Sequence, residues 1–265
     1  RDIIKMVSRA HNNTIIQLKH LDAGYGSLVI LKDINLEISR SEIFVLLGGS
    51  GCGKSTLMRH MIGLNRPLSG SVIIGGQVFA TATEDIPEYS RSALQRRTGV
   101  MYQSGALFGS MSLLENVRLP LDEYTRLPRD LKDELARLKL EQVGLGDFTD
   151  YQPAAVSGGM QKRAAIARAI ALDPDVLFLD EPSAGLDPIT SAELDTLILR
   201  LRDAFGMTVI MVSHELASVF TVADRAAYLD RNTRSVLETG SPAMLRDNSI
   251  HEKVRQFFNR GNPPQ

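Results

Sequence analysis

The stretch Gly48-Gly49-Ser50-Gly51-Cys52-Gly53-Lys54-Ser55-Thr56 decides how the rest of this chain is read. It stands between an apolar run, Ile43 to Leu47, and a stretch of helical character, Thr56 to Gly63. Its spacing is G-x-x-x-x-G-K-[ST], that of a phosphate-binding loop. Glycines at these places let successive backbone N–H groups turn inward around polyphosphate oxygens, where a Cβ would crowd them. Lys54 is then placed to reach the β- and γ-phosphates and Ser55 to offer its hydroxyl to Mg²⁺, while the following helix aims its positive end at the anion. A Gly-rich turn between strand and helix is the plain alternative. The match at all four fixed positions, in a strand–loop–helix context, argues against it. The loop implies a nucleoside triphosphate and leaves open which machine uses it.

Outward from the loop, Thr14 to Leu18 and Val29 to Ile38 read as half-buried strands, with apolar and polar residues alternating from Leu31 onward, most simply as an antiparallel pair. Between them Ala23-Gly24-Tyr25-Gly26 reads as a loop. Its Tyr25 is either an ordinary surface tyrosine or a ring that stacks on a base, a contact of about 1–3 kcal/mol in nucleic-acid cases. Further along, Ser71 to Ile74 precedes the turn Gly75-Gly76, and Gly99 to Tyr102 leads into Gln103. From Ala106 to Leu172 the strand pattern stops, and helical periodicity over Leu127 to Val143 and Gly159 to Leu172 indicates an inserted helical lobe. Val176 to Leu179 and Thr208 to Val212 are continuous apolar runs, as in a parallel sheet covered on both faces, and helices at Pro188 to Phe205 and Glu215 to Val222 alternate with them. The tail, Gly261 to Gln265, reads as disordered.

Four apolar runs are each followed at once by a chemically useful residue: Lys54, Gln103, the pair Asp180-Glu181, and His214. In open parallel sheets ligands lie beyond the carboxyl ends of the strands, so these four are expected to converge on one crevice. Asp180 matches the acidic residue that holds Mg²⁺ through its water shell, and Glu181 is placed to accept a proton from the attacking water. His214, as a neutral donor, suits the γ-phosphate and that water, and Gln103 suits Mg²⁺ and water. A lone His at a strand end is more often structural; its position beside the other three favours the catalytic role.

Bulk properties narrow the class. A chain of 265 residues with 43% hydrophobic content can bury one α/β core with insertions. A formal net charge of −1 supplies no basic face for nucleic acid. The one cysteine, Cys52, lies inside the phosphate loop and has no intrachain partner, which points to a reducing compartment. No run approaches the length of a membrane span, and the polar leader, Arg1 to Thr14, lacks a signal peptide's apolar core, so a soluble, cytoplasmic chain is expected. Neither a zinc-ligand spacing nor a G-x-S-x-G elbow occurs.

Val156-Ser157-Gly158-Gly159-Met160-Gln161-Lys162-Arg163 is a Ser-Gly-Gly turn opening a helix. Ser157 is a natural N-cap, and Gly158 and Gly159 leave backbone N–H groups open, so this is either simple capping or a second anion site. With it the sequence resembles the ABC (ATP-binding cassette) ATPases over nearly its whole length. Tyr25 matches their adenine-stacking loop, Gly48 to Thr56 Walker A, Gln103 the Q-loop, Ser157 to Gln161 the signature, Val176 to Pro182 Walker B, Ser183 to Asp187 the D-loop, and His214 the switch histidine. The resemblance implies that the signature turn binds the γ-phosphate of ATP held by a second subunit. Val156 and Met160 depart from the common Leu-Ser-Gly-Gly-Gln. Met160, with Gln103 to Phe108, Glu115 to Val117, Asp187 to Thr190 and Val254 to Phe257, resembles the ATPase subunit of Mla-type (MCE-associated) bacterial lipid transporters.

The fold expected is therefore α/β, a P-loop NTPase of the ABC type: a parallel-sheet core with an antiparallel β lobe and a helical lobe over 106–172, all within 14–243, followed by a C-terminal extension over 244–265. Two phosphate-binding ends in one chain suit a head-to-tail homodimer with two ATP and Mg²⁺. The resemblance implies partners too: integral membrane permease subunits and an MCE-type lipid-binding protein, with the ATPase peripheral on the cytoplasmic face of the inner membrane. Soluble ABC ATPases of translation or DNA repair are disfavoured by the single cassette and the lack of a long heptad insertion. A metal-cluster scaffold is disfavoured by the lone Cys52. Phe108, Met111, Leu113 and Leu114 form a candidate docking cluster for the permease, two of them expected as plain core. Ile250, Val254, Phe257 and Phe258 form an apolar stripe expected either to pack on the chain's own core or to reach the neighbouring ATPase subunit.

Overall fold

The computed structural model describes residues 13–259; the polar leader up to residue 12 and the tail Gly261–Gln265 lie outside the described residues. In chain order the elements are β1 (Thr14–Tyr25), β2 (Leu28–Ser39), β3 (Ile43–Gly48), α1 (Lys54–Met61), β4 (Ser69–Ile74), β5 (Gln77–Thr81), α2 (Glu88–Gln95), β6 (Thr98–Met101), α3 (Leu113–Tyr124), α4 (Arg129–Gln142), α5 (Gly158–Ala169), β7 (Val176–Asp180), α6 (Pro188–Phe205), β8 (Thr208–Val212), α7 (Leu216–Val222), β9 (Arg225–Asp230), β10 (Ser235–Gly240), α8 (Pro242–Asp247) and α9 (Glu252–Phe258). Two compact units divide the described residues, 13–94 with 223–259, and 95–222.

In the first unit an antiparallel sheet runs in the order β2-β1-β4-β5. Its inner face comes from the alternation in β2, where Ile34, Leu36 and Ile38 are buried and Asn35 and Glu37 are exposed. An irregularity at Lys32 and Asp33, with Asp33 at φ +51°, brings Leu31 onto the same buried face as Ile34. The segment Ala23 to Tyr25, expected as a loop, completes β1: Tyr25 pairs with Leu28, and the turn is reduced to Gly26 and Ser27. β3 is buried along its whole length and pairs in parallel with β9, which β10 flanks antiparallel.

β9 and β10 are elements that sequence patterning did not reveal. The stretch Arg225-Ala226-Ala227-Tyr228-Leu229-Asp230 has no alternation and few strand-favouring side chains, and its pairing with β3 is what makes it a strand. Asp224 secures its start, exchanging backbone and carboxylate hydrogen bonds with Ile43 at 3.0 and 2.8 Å. The C-terminal stripe is covered by its own unit. Val254, Phe257 and Phe258 are buried, and the Phe257 ring meets Tyr228 edge-on at 5.2 Å. Ile250 alone of the four is exposed, so the alternative in which this stripe reaches a neighbouring subunit is not supported.

In the second unit β6, β7 and β8 form parallel pairs in continuous register. The runs in β7 and β8 are buried on both faces, as the sequence required. Between β6 and β7 the described residues hold α3, α4, α5 and short 3₁₀ turns, with no strand. α3 starts at a reciprocal cap: Glu115 N–H donates to Ser112 Oγ at 3.2 Å and Ser112 N–H to Glu115 Oε2 at 2.8 Å. α6 is capped by Asp187, which accepts from the N–H groups of Ile189 and Thr190. Of the candidate docking cluster, Leu113 and Leu114 are core, Met111 is half-buried and Phe108 is 56% exposed. The buried Asn116 amide bridges backbone atoms of Phe108, Met111 and Ser112, so the exposure of Phe108 is held by a fixed loop.

Candidate active site

β3 delivers the chain into the phosphate loop at Gly48, whose φ of +142° closes the strand. A Cβ at Gly48 would stand 2.4 Å from the Leu229 carbonyl oxygen and 2.6 Å from Cys52 Sγ, so no side chain fits there. Cys52 is buried, and burial pushes its thiol pKa up, which keeps it protonated and unreactive at neutral pH. Lys54 Nζ folds back on the loop and donates to the carbonyls of Gly48 at 3.0 Å and Gly49 at 3.3 Å. No side chain caps α1, whose first turn carries no acidic residue, so the helix presents its positive end and Ser55 at the loop.

Tyr25 is attached to the helix that follows the loop. Its hydroxyl lies 3.5 Å from Thr56 Oγ1 and accepts a hydrogen bond from Arg59 at 3.2 Å. Hydrogen bonding to Thr56, aided by Arg59, holds the phenol below its ordinary pKa against the opposing effect of burial. His60, which sequence spacing left without a role, completes this attachment. It is fully buried; Nδ1 lies 2.9 Å from the Thr56 carbonyl oxygen, and Gly24 N–H donates to Nε2 at 3.4 Å. An acceptor on one side and a donor on the other select the neutral tautomer with the proton on Nδ1, and burial draws the pKa down in the same sense. One turn of α1 thus sets the end of β1, where the Tyr25 ring is 41% exposed and open to a flat ligand.

In the second unit β7 ends at Asp180, and Glu181 follows in the left-handed region at φ +49°, a conformation that costs a non-glycine residue about 1–3 kcal/mol. Glu181 N–H donates to the Val212 carbonyl at 2.9 Å, which fixes the turn against the end of β8. The consequence is a contact: His214 Nδ1 lies 2.8 Å from Glu181 Oε2. The carboxylate is sheltered at 18% exposure, and the imidazole reaches outward at 64%. Gln103 stands exposed just beyond the end of β6, and its carbonyl accepts from Lys162 Nζ.

At the Ser-Gly-Gly turn Ser157 caps α5, its Oγ accepting from Met160 N–H at 3.2 Å, as the sequence indicated. Accepting uses a lone pair and not the hydroxyl hydrogen. A Cβ at Gly159 would lie 2.4 Å from Thr190 Cγ2 on α6, so glycine lets these two helices meet. The structure thus joins Glu181 with His214 directly and Tyr25 with the phosphate-loop helix through Thr56 and Arg59. Neither connection, nor the part played by His60, was explicit in residue spacing; the only local signal for His60 is its position one helical turn after Thr56.

Comparison with known proteins gives this geometry a family. The family described as ABC transporter matches residues 31–184 of the 265. The intermembrane phospholipid transport system ATP-binding protein MlaF of Haemophilus influenzae is 38% identical over 250 residues, 93% of this chain and 91% of that protein. Mkl of Mycobacterium leprae, named as a probable ribonucleotide transport ATP-binding protein, is 39% identical over 92% of this chain and 68% of its own length. Among solved structures, the dimeric ATP-binding cassette MJ0796, in a post-hydrolysis state bound to ADP and Pi, superposes with a TM-score of 0.75 at 29% identity over 86% of this chain and 98% of that one. Family match, full-length relatives and fold agree: the chain belongs to the ABC transporter family, as an ATP-binding subunit that hydrolyses ATP to energise transport.

Proposed function

We propose that this subunit energises the movement of phospholipid between the membranes of a bacterial envelope. The observation that carries the proposal is the likeness to MlaF, which extends over nine-tenths of both chains and so includes the parts outside the common ATPase motifs. Met160 in the signature turn supports the same reading. In this role the subunit works as a head-to-tail homodimer on the cytoplasmic face of the inner membrane, bound to integral permease subunits and, through them, to an MCE-type lipid-binding protein. Among the described residues no helix is long and apolar enough to cross a membrane, which suits attachment through a permease.

The roles of the residues follow from their chemistry. The N–H groups from Gly48 to Thr56, with Gly49, Ser50, Gly51 and Gly53 among them, and the ammonium of Lys54 hold the triphosphate, while Tyr25 stacks on the base. Ser157, Gly158 and Gly159 grip the γ-phosphate of the partner subunit's nucleotide. Ser55, Gln103 and Asp180 offer hydroxyl, amide and carboxylate oxygens, the hard donors that Mg²⁺ prefers, so the residues fit that ion. The ion would neutralise charge on the β- and γ-phosphates. Glu181 accepts the proton of the attacking water as its oxygen bonds to the γ-phosphorus and the bond to the β-bridging oxygen breaks. His214, through Nδ1, holds the Glu181 carboxylate in place.

Mkl is similar to this chain at nearly the same identity, so ribonucleotide is the rival cargo. Isolation of the subunit with its membrane partners, followed by analysis of the bound small molecules and of ATPase stimulation, separates the two. Co-isolated phospholipid, with turnover stimulated by phospholipid vesicles, is the expected result. Stimulation by ribonucleotide, with no phospholipid bound, would overturn the proposal.

A further inference from the structure

The segment after β6 turns sharply. Gly105 takes φ +72° and Ala106 φ +49°, and Gly105 N–H closes a turn on the Tyr102 carbonyl at 2.7 Å. A tight turn leaves carbonyl oxygens outside the sheet ladder, and three of them are taken up by one helix. Lys162 Nζ donates to the Gln103 carbonyl, and the Arg168 guanidinium donates to the carbonyls of Gly105 at 2.7 Å and Ala106 at 2.8 Å. Between these two cations, at i+3 from Lys162, lies Ala165, whose Cβ is 3.3 Å from where a Cβ at Gly105 would stand. Positions 162, 165 and 168 make one row along α5, so a single helix face carries the whole turn.

Both cations are partly buried. Burial draws the pKa of Arg168 down, and that of Lys162 likewise, while Glu181 and then Asp180 pull Lys162 back up. The helix that carries the signature turn at its start thus holds, little more than one turn further along, the backbone of the residue read here as a water and Mg²⁺ contact.

We infer that Lys162 and Arg168 are positioning residues for hydrolysis, Lys162 setting the backbone of Gln103 and Arg168 fixing the turn behind it. The inference rests on the proposed role of Gln103. Its test is the steady-state ATPase activity of the full chain in wild type, Gln103→Ala, Lys162→Met, Lys162→Arg and the double variant Gln103→Ala/Lys162→Met. Loss of one charge-assisted hydrogen bond from a group that acts through another should lower kcat about tenfold in Lys162→Met and leave KM for ATP within about twofold. Lys162→Arg should recover most of the rate, and the double variant should be no slower than Gln103→Ala. Losses that multiply in the double variant, or a normal rate in Lys162→Met beside a slow Gln103→Ala, would overturn the positioning role. A normal rate in Gln103→Ala would instead remove the reading of Gln103 on which it rests. Should Lys162→Met fail to fold, Arg168→Lys carries the test. It keeps the charge and loses the two-pronged grip, so hydrogen exchange at the amides of 104–107 should rise together with a lower kcat. Unchanged exchange and rate would overturn the inference.

Discussion

His214 Nδ1 lies 2.8 Å from Glu181 Oε2, and the two reach each other because Glu181 departs from β7 at a positive φ while His214 lies just beyond the end of β8. A carboxylate that is to take a proton from water must be held in one direction, and a ring nitrogen at this distance does that. Replacement of His214 by Ala should therefore lower kcat about 10²-fold with little change in ATP affinity. Single-turnover hydrolysis alongside equilibrium nucleotide binding checks the split. Equal losses in both would make His214 a binding residue.

Gly159 and Thr190 offer a test of packing at the signature turn. A methyl at position 159 would fall 2.4 Å from Thr190 Cγ2, so Gly159→Ala should destabilise the chain by about 1–3 kcal/mol through overpacking. Thr190→Ser removes that methyl and keeps the hydroxyl that donates to Asp187 at 2.5 Å. The double variant Gly159→Ala/Thr190→Ser should recover most of the lost thermal stability. If the thermal midpoint stayed as low as in Gly159→Ala, the clash would not be the cause.

His60 gives the fold a pH dependence of known sign. Burial depresses its pKa below the ordinary value of 6.5, so below that pH the unfolded chain binds a proton that the folded chain does not. Its contribution is fully present above the unfolded pKa and is lost as pH falls toward the folded one. Thermal midpoints measured downward from pH 7 should fall more steeply in the wild type than in His60→Gln. Parallel pH profiles for the two proteins would exclude His60 as the titrating group.

How much of this was legible beforehand depends on the distance over which each feature is determined. The phosphate loop, the Ser157 cap and the runs Val176 to Leu179 and Thr208 to Val212 are set by residues within one turn or one strand, and spacing alone exposes them. Tyr25 was misplaced into a loop because Gly24 and Gly26 look like breakers, whereas pairing with Leu28 carries the strand through. β9 stayed hidden since Ala226 and Ala227 have no period of their own and take their structure from β3. The bond from Lys162 to the Gln103 carbonyl spans 59 residues, and no periodicity relates its two ends.

Phe257 separates the two expectations for the C-terminal stripe. It is buried against Tyr228 within its own unit, so Phe257→Ala should cost about 3–5 kcal/mol of stability. Urea unfolding of the isolated subunit measures it. A folded subunit of normal stability that failed only to pair with a second copy would restore the inter-subunit role.

The most direct measurement of the central claim, that Glu181 is the base of an ATP-hydrolysing cassette, is the Glu181→Gln variant followed by nucleotide binding, turnover and sedimentation in one preparation. The expected result is ATP affinity close to that of the wild type, hydrolysis slower by about 10²- to 10⁴-fold, and a dimer that accumulates in ATP and not in ADP. Turnover near the wild-type rate would contradict it and remove Glu181 from the base role.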